Sequence, residues 1–260
     1  MGTSTCHVVN FDKLSEVPGM CGAVDGGIID GYWGYEAGQS GVGDIFAWFA
    51  DGILGQSTPD RAAAAGQSTH DYLSELAAQQ HVGQHGLIAL DWWNGNRSVL
   101  VDTSLSGVIV GLTLASKPED IYRALVEATA FGTKVIVESF DGAGLPVTEF
   151  IAAGGLIKSP FVMQIYADVL NRPISVIETE QGPALGSAIH AAVAAGIYPD
   201  IPSAAAVMGK VRRGPFVPNP KASATYDLLY AEYLRLHDHF GRGENDVLHR
   251  LRAIRNAAST

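Results

Sequence analysis

The chain has 260 residues, 47% of them hydrophobic, and a formal net charge of −10. That length buries the core of one large domain or two small ones, while the acidic balance and scattered basic residues exclude a phosphate-reading nucleic-acid surface. Only Cys6 and Cys21 occur, without CxxC spacing or a histidine cluster, so neither a zinc site nor a disulfide framework is indicated and a reduced, cytoplasmic setting is expected.

The first third is rich in glycine and strand-forming residues. "TSTCHVV" (3–9) and "GGIIDGYWGYE" (26–36) read as a meander of two or three antiparallel strands. At 38–55 the period becomes helical, with Ile45, Trp48, Phe49 and Ile53 on one stripe and Gly55 as the stop. "RAAAAG" (61–66) reads as a loop or helix edge, and a second helix is expected over 67–82. "GLIALDWWNGNRSVLVD" (86–102) is a short strand running into a polar loop, and "SGVIVGLTL" (106–114) reads as a buried strand.

The plainest helix runs from Ser116 to Phe140. Ser116 and Glu119 form a capping box with Pro118 in the first turn, and Ile121, Leu125, Ala128, Gly132, Val135 and Ile136 line one core-facing stripe. Strand 148–153, helix 159–171, strand 174–177, helix 183–195, helix 203–209 and a long helical region from about 220 follow, the last interrupted near Gly241 and Gly243. Arg242, Arg250, Arg252 and Arg255 solvate that terminal region. No apolar run has the length of a membrane span, and the N-terminal residues lack signal-peptide character.

Several strings carry chemistry. In "FIAAGGLIKSPFVMQIYADVL" (150–170) a strand ends in Gly154-Gly155 and feeds a helix, which either holds a phosphate or a flat ring against bare backbone or is a tight turn without a ligand. Gly2-Thr3-Ser4-Thr5 is either an ordinary polar turn or a set of donors to a polyphosphate. "LDWWNGNRS" (90–98) offers Asp91, Asn94, Asn96 and Arg97 as a loop anchored by tryptophan or as a substrate-contact loop. The small residues of "QGPALGSAIHAAVAAG" (181–196) suit close packing of a helix on a sheet, with His190 in the core or at its rim. Asp25 and Asp30 sit in hairpin-like glycine spacing and are not adopted as a base.

Taken together, "MGTSTCHVVN", "VPGMCGAVDGGIIDGYWGYEAGQSGVGDIFAWF", "ALDWWNGNRSVLVD", "SGVIVGLTLASKPEDIYRALVEATAFG" and "AAGGLIKSPFVMQIYADVLNRPI" resemble the C-terminal domain of the FGGY family of carbohydrate kinases, and within it the branch acting on L-ribulose. The resemblance runs from the first residue to about Pro202. The stretch 107–127 looks like the family signature, with Asp120 and Glu127 on its helix and Leu125 a slightly atypical occupant.

The resemblance implies an α/β, actin-like (ribonuclease-H-like) ATPase fold, a mixed sheet flanked by helices, with residues 1–260 as one nucleotide-binding domain and 220–260 as its helical extension. It implies transfer of the γ-phosphoryl group of ATP, with Mg2+, to a pentulose hydroxyl. Gly2 and Thr3 then meet the phosphates, Gly43 heads a helix in contact with the nucleotide, and Gly154, Gly155 and Ser159 form the adenosine site. Glu36 reaches the sugar. No catalytic base is assigned within the chain: the family's catalytic Asp is expected upstream of residue 1, in an N-terminal sugar-binding domain that would be the partner of this one, so the isolated chain is expected to be inactive. The alternatives are a kinase of another pentulose or pentitol, or a non-catalytic module of the same fold that self-associates as a homo-oligomer through an exposed apolar face.

Overall fold

The computed structural model describes residues 2–243 and 245–259. Strand β1 (Thr5–Phe11) buries Thr5 and His7 and exposes Cys6 and Val8, the alternation of a half-buried strand. It pairs antiparallel with β3 (Trp33–Gln39), which pairs on its other side with β2 (Gly22–Asp25). The order is therefore β1-β3-β2, with β3 in the centre, and not a meander. Residues 26–32, expected as strand, form the turn between β2 and β3. Gly26 and Gly31 take φ of 62° and 79° there, a region that side chains disfavour.

Helix α1 (Gly43–Ala47) widens into a π-helical turn over Trp48–Ile53. The expected stripe is corrected by this widening. Ile45, Phe46, Phe49 and Ala50 are buried, while Trp48 and Ile53 are exposed, because the Leu54 amide bonds back five residues to the Phe49 carbonyl. Helix α2 (Ser57–Ala64) takes in most of the alanine run left as a loop or helix edge, and α3 (Thr69–Ala78) starts at Ser68, whose side chain accepts from the Asp71 amide.

Strands β4 (Ile88–Leu90) and β5 (Val108–Val110) form a separate antiparallel ribbon. The second was expected to be buried; Val108 and Ile109 are half-buried and Val110 is exposed, since β5 has a neighbour on one side only.

Helix α4 (Pro118–Gly142) runs through the middle of the molecule and packs against α3, α5 (Pro160–Leu170), β4 and β3. Every residue from Tyr122 to Thr133 is buried, so the expected single stripe is replaced by burial on all faces. The expected Ser116–Glu119 capping box is also corrected. Lys117 occupies the cap and donates its amide to Asp120 at 2.8 Å, and Ser116 instead accepts from the Thr113 amide at 3.0 Å.

Beyond α4, β6 (Phe150–Ala152) pairs parallel with β7 (Ile174–Ile177), and β8 (Val211–Phe216) pairs antiparallel with β7. Mixed pairing is thus confined to this sheet; the described strands form three sheets rather than one. β1 and β6 are outer strands of their sheets and line one cavity of about 360 Å³. Strand β8 is absent from the sequence reading, because Gly214-Pro215 and two arginines break the strand pattern; Pro is tolerated there on an outer strand.

Helices α6 (Gly182–Ala194) and α7 (Ile201–Met208) are mainly exposed. In α6 only Ile189 is buried, so the expected close packing of its small residues on the sheet is corrected, and His190 is exposed rather than in the core. Helix α8 (Pro220–Gly241) docks Tyr226, Tyr230 and Tyr233 against the central helices, and α9 (Val247–Ala258) ends the described chain. No helix among the described residues is long and apolar enough to cross a membrane.

The main core gathers α1, α3, α4, α5 and α8 around Phe131, Tyr166 and the α8 tyrosines. A second, smaller core of Val17, Tyr35, Ala37, Ile136, Phe140 and Leu145 lies between the first sheet and the end of α4. Each large apolar side chain buried in them contributes roughly 1.5–3 kcal/mol.

Candidate functional site

Parallel strands β6 and β7 end beside each other, and the segments that leave their carboxyl ends form the walls of a cleft of about 510 Å³. This is the place in an open α/β sheet where ligands are commonly held. One wall carries Gly154, Gly155, Ile157 and Lys158; the other carries Glu178, Thr179, Glu180 and Gln181. Gly154 has φ 99°, a conformation open to glycine. A Cβ placed on Gly155 would meet no atom within 4 Å, so its bare backbone faces open space.

Lys158 Nζ and Glu180 Oε2 lie 3.0 Å apart, joining one wall to the other, and both side chains are more than half exposed. Ser159 is not on the wall. It caps α5 by accepting from the Val162 amide at 3.4 Å, and so fixes the direction in which the Gly154-Gly155 turn enters that helix. The second wall and Arg212, which lines the same cleft from β8, went unassigned from sequence. A polar run after a strand and before Gly182-Pro183 was the available signal for the wall; Arg212 had none, since β8 itself was missed.

Gly2, Thr3 and Gly43 come together at the head of α1. The Gly43 amide donates to the Gly2 carbonyl at 2.8 Å, and the amides of Val42 and Asp44 donate to the Thr3 carbonyl at 2.9 and 3.4 Å. A Cβ on Gly43 would stand 2.5 Å from the Gly2 oxygen, so this close approach requires glycine. The Thr3 and Ser4 side chains are exposed. Glu36 stands apart from both groups, on the outer face of β3, where its carboxylate forms an ion pair with Arg97 from the "DWWNGNRS" loop.

That loop divides in two. Asp91, Trp92 and Asn96 are buried and hold it to the core: Asp91 accepts from Gln39 Nε2 at 2.8 Å and from Tyr233 OH at 3.1 Å, and Asn96 Oδ1 accepts from the Leu100 amide at 3.0 Å. Burial pushes the Asp91 carboxyl up to about 6 against these neutral donors. Gln39 continues the chain of contacts through Thr133 Oγ1 at 2.8 Å to His7 Nε2 at 3.3 Å, and burial lowers His7 to about 4. Asn94 is exposed and Arg97 half-exposed. Of the two signature acids, Asp120 caps α4 and Glu127 is buried against Arg123 and His85. Among the described residues no group of three or more His, Cys, Asp or Glu side chains is placed to hold a metal ion.

Residues 1–195 match the profile described as the FGGY family of carbohydrate kinases, C-terminal domain. Over 258 residues the chain is 58% identical to a protein named Ribulokinase from Mycolicibacterium smegmatis, covering 99% of this chain and 46% of that protein. It is 55% identical to a Ribulokinase from Halalkalibacterium halodurans, covering 98% and 46%. The chain spans about half the length of the curated relatives it matches. Among solved structures, xylulose kinase from Rhodospirillum rubrum superimposes with a TM-score of 0.76 at 26% identity, over 97% of this chain and 47% of that one. Gluconate kinase from Lactobacillus acidophilus, at 22% identity and a TM-score of 0.76 over 93% and 46%, shares the fold.

Proposed function

The chain belongs to the FGGY family of carbohydrate kinases, and we propose that it is the nucleotide-binding portion of a kinase that moves the γ-phosphoryl group of Mg·ATP to a hydroxyl of L-ribulose. The observation that carries this reading is the cleft at the ends of β6 and β7, where Gly154 turns at φ 99° and the bare backbone of Gly155 faces open space. Adenine and ribose lie along that backbone, Lys158 and Arg212 supply positive charge at its border, and the phosphates extend toward the exposed Thr3 and Ser4 hydroxyls. The magnesium ion arrives with the nucleotide as part of the substrate.

Phosphoryl transfer rests on positioning and on stabilising spread charge, with an oriented nucleophile. In this reading Glu36 accepts hydrogen bonds from sugar hydroxyls, a source of discrimination in a closed site. The base that takes the hydroxyl proton comes from the part of the relatives that this chain does not span. The choice of L-ribulose follows the names of the relatives that are 50–58% identical.

Calorimetric titration with Mg·ADP tests the cleft. Binding in the millimolar range or tighter, lost in Gly155→Asp with no change in melting temperature, is the expected result. The open space at Gly155 makes that variant compatible with the fold. Absence of heat, or equal binding by the variant, overturns the reading. A coupled assay with L-ribulose, run on the chain alone and on the chain mixed with the remaining portion of a relative, tests the reaction: turnover is expected in the mixture only.

A further inference from the structure

Strands β1 and β6 each pair on one side, with β3 and β7, and among the described residues neither has a strand on its other side. Those two free edges border the cavity of about 360 Å³. Its lining is unlike that of a pocket over a sheet face. Every residue of Thr5–Phe11 lines it on one side, and the unbroken run 146–153 lines it on the other. Side chains alternate between the two faces of a strand, so a space that touches each residue in turn lies against the strand's edge, where backbone N–H and C=O groups point sideways. Ile136, Val137 and Phe140 of α4 are buried and give the space an apolar wall, while Val8 and Ile151 beside it are exposed.

Three side-chain atoms of β1 are buried in this lining with no hydrogen-bond partner among the described residues: Thr5 Oγ1, His7 Nδ1 and Asn10 Oδ1. Thr5 is 4% exposed and His7 8%. The neighbours of His7 place its proton. Gln39 Nε2 donates to Asp91 and to the Thr129 carbonyl, which leaves Gln39 Oε1 to accept from the Thr133 hydroxyl. Thr133 Oγ1 therefore accepts from His7 Nε2, and in the neutral ring that burial enforces, Nδ1 holds a bare lone pair. A buried acceptor without a donor is costly, as is a row of unpaired backbone groups. An occupant that relieves both pairs along two strand edges, turns apolar side chains toward α4 and brings a donor to His7.

We propose that this slot seats an extended segment that pairs with β1 and β6 at once and joins their two sheets into one, the occupant being the stretch that immediately precedes this domain in its longer relatives. Two observations select that occupant. The chain covers 46% of the Mycolicibacterium smegmatis relative and matches a C-terminal domain, so that relative carries further chain ahead of the matched part. At the head of β1 the Gly2 amide donates to the Ser4 carbonyl at 3.1 Å, which reverses the chain across Thr3. A segment entering through that turn runs antiparallel to β1, and with β3 on one side of β1 the slot is the side left to it. The proposal rests on the strand edges and holds whether or not the cleft binds nucleotide.

The test uses the full chain and a synthetic peptide of about eight residues, enough for one strand, with the sequence that lies immediately ahead of the aligned region in the M. smegmatis relative. Amide hydrogen exchange read by mass spectrometry is expected to slow about tenfold or more in β1 and β6 when the peptide is present. Strands β2 and β8, the edges away from the slot, are expected to stay unchanged. The same peptide with proline at every second position lacks amide donors for pairing and is expected to protect neither strand. A second arm fuses the stretch ahead of residue 1, which makes pairing intramolecular and removes the dependence on peptide affinity; the same protection is expected. Unchanged exchange in the fused chain overturns the proposal, as does equal protection by the proline peptide or protection at β2 and β8 instead. Protection of β1 and β6 that grows with chain concentration in the absence of peptide assigns the slot to a second copy and overturns it as well.

Discussion

Asp91, at the end of β4, and Glu127, in the middle of α4, are both buried carboxylates, and the protein pushes them in opposite directions. Asp91 accepts from the neutral groups of Gln39 and Tyr233 and from a backbone amide, and burial raises its carboxyl to about 6. For Glu127, burial alone raises the carboxyl, yet His85 at 3.0 Å and Arg123 Nε at 2.8 Å hold it below its ordinary value. Tyr226 OH donates to the same Glu127 oxygen at 2.9 Å. The depth of burial is the same, so the difference comes from whether a full countercharge stands within hydrogen-bond reach. Glu127 ties α4 to α3 and α8 as part of an ion cluster; Asp91 works as a hydrogen-bond acceptor that carries a burial penalty when ionised.

The sharpest break of this contrast is Glu127→Gln. Arg123 then remains buried with its carbonyl contacts to Ala77 and Gln80 but without a carboxylate, and the loss is expected to be about 3–5 kcal/mol. Urea denaturation at neutral pH measures it, and a loss below about 1 kcal/mol is incompatible with a countercharge role. Because the folded carboxyl is depressed, its stabilisation is present above its unfolded value and disappears as pH falls through the folded value.

Asp91→Asn gives the opposite slope. The folded carboxyl is raised from 3.8 to about 6, so the unsubstituted chain gains stability relative to the variant as pH falls through that window, by roughly 3 kcal/mol in all. That advantage is complete below the unfolded value and lost as pH rises through about 6. Paired melts of the two proteins between pH 7.5 and 3.5 read the difference directly, and a pH-independent gap contradicts the raised carboxyl. Tyr233→Phe sharpens the same point with a smaller effect. It removes one donor to the ionised Asp91 and costs about 1–2 kcal/mol at pH 7.5, shrinking at low pH, where the protonated acid depends less on that donor.

Much of the helical frame was legible because its signals are local. The start of α5 announces itself through Ser159-Pro160, β7 through the β-branched residues of "ISVI" after Pro173, and α4 through its length and apolar content. The Arg123–Glu127 pair was readable too, at i, i+4 spacing in "RALVE", but only an all-round buried helix turns that spacing into a core ion pair. The glycines of the cleft were legible as glycines, whereas the wall facing them depends on β7 lying parallel to β6. The Arg97–Glu36 pair was illegible for a similar reason: it joins a loop to β3 across 61 residues of sequence, which no periodicity encodes.

The smallest expected effect lies at the opposite extreme of burial from Glu127. Lys158 and Glu180 make an ion pair at 3.0 Å, close to the distance of the Glu127 contacts, but their side chains are 63% and 71% exposed. Water screens both charges, and holding two long side chains in one geometry has an entropic cost that offsets the attraction. Lys158→Ala is therefore expected to change stability by less than about 0.5 kcal/mol, measured by the same urea titration. A loss near that of Glu127→Gln would mean that distance, and not desolvation with a countercharge, sets the strength of these pairs. Because the fold is expected to be indifferent to this pair, Mg·ADP affinity in Lys158→Ala reports on the cleft alone, and a weaker affinity at unchanged stability identifies Lys158 as a ligand contact.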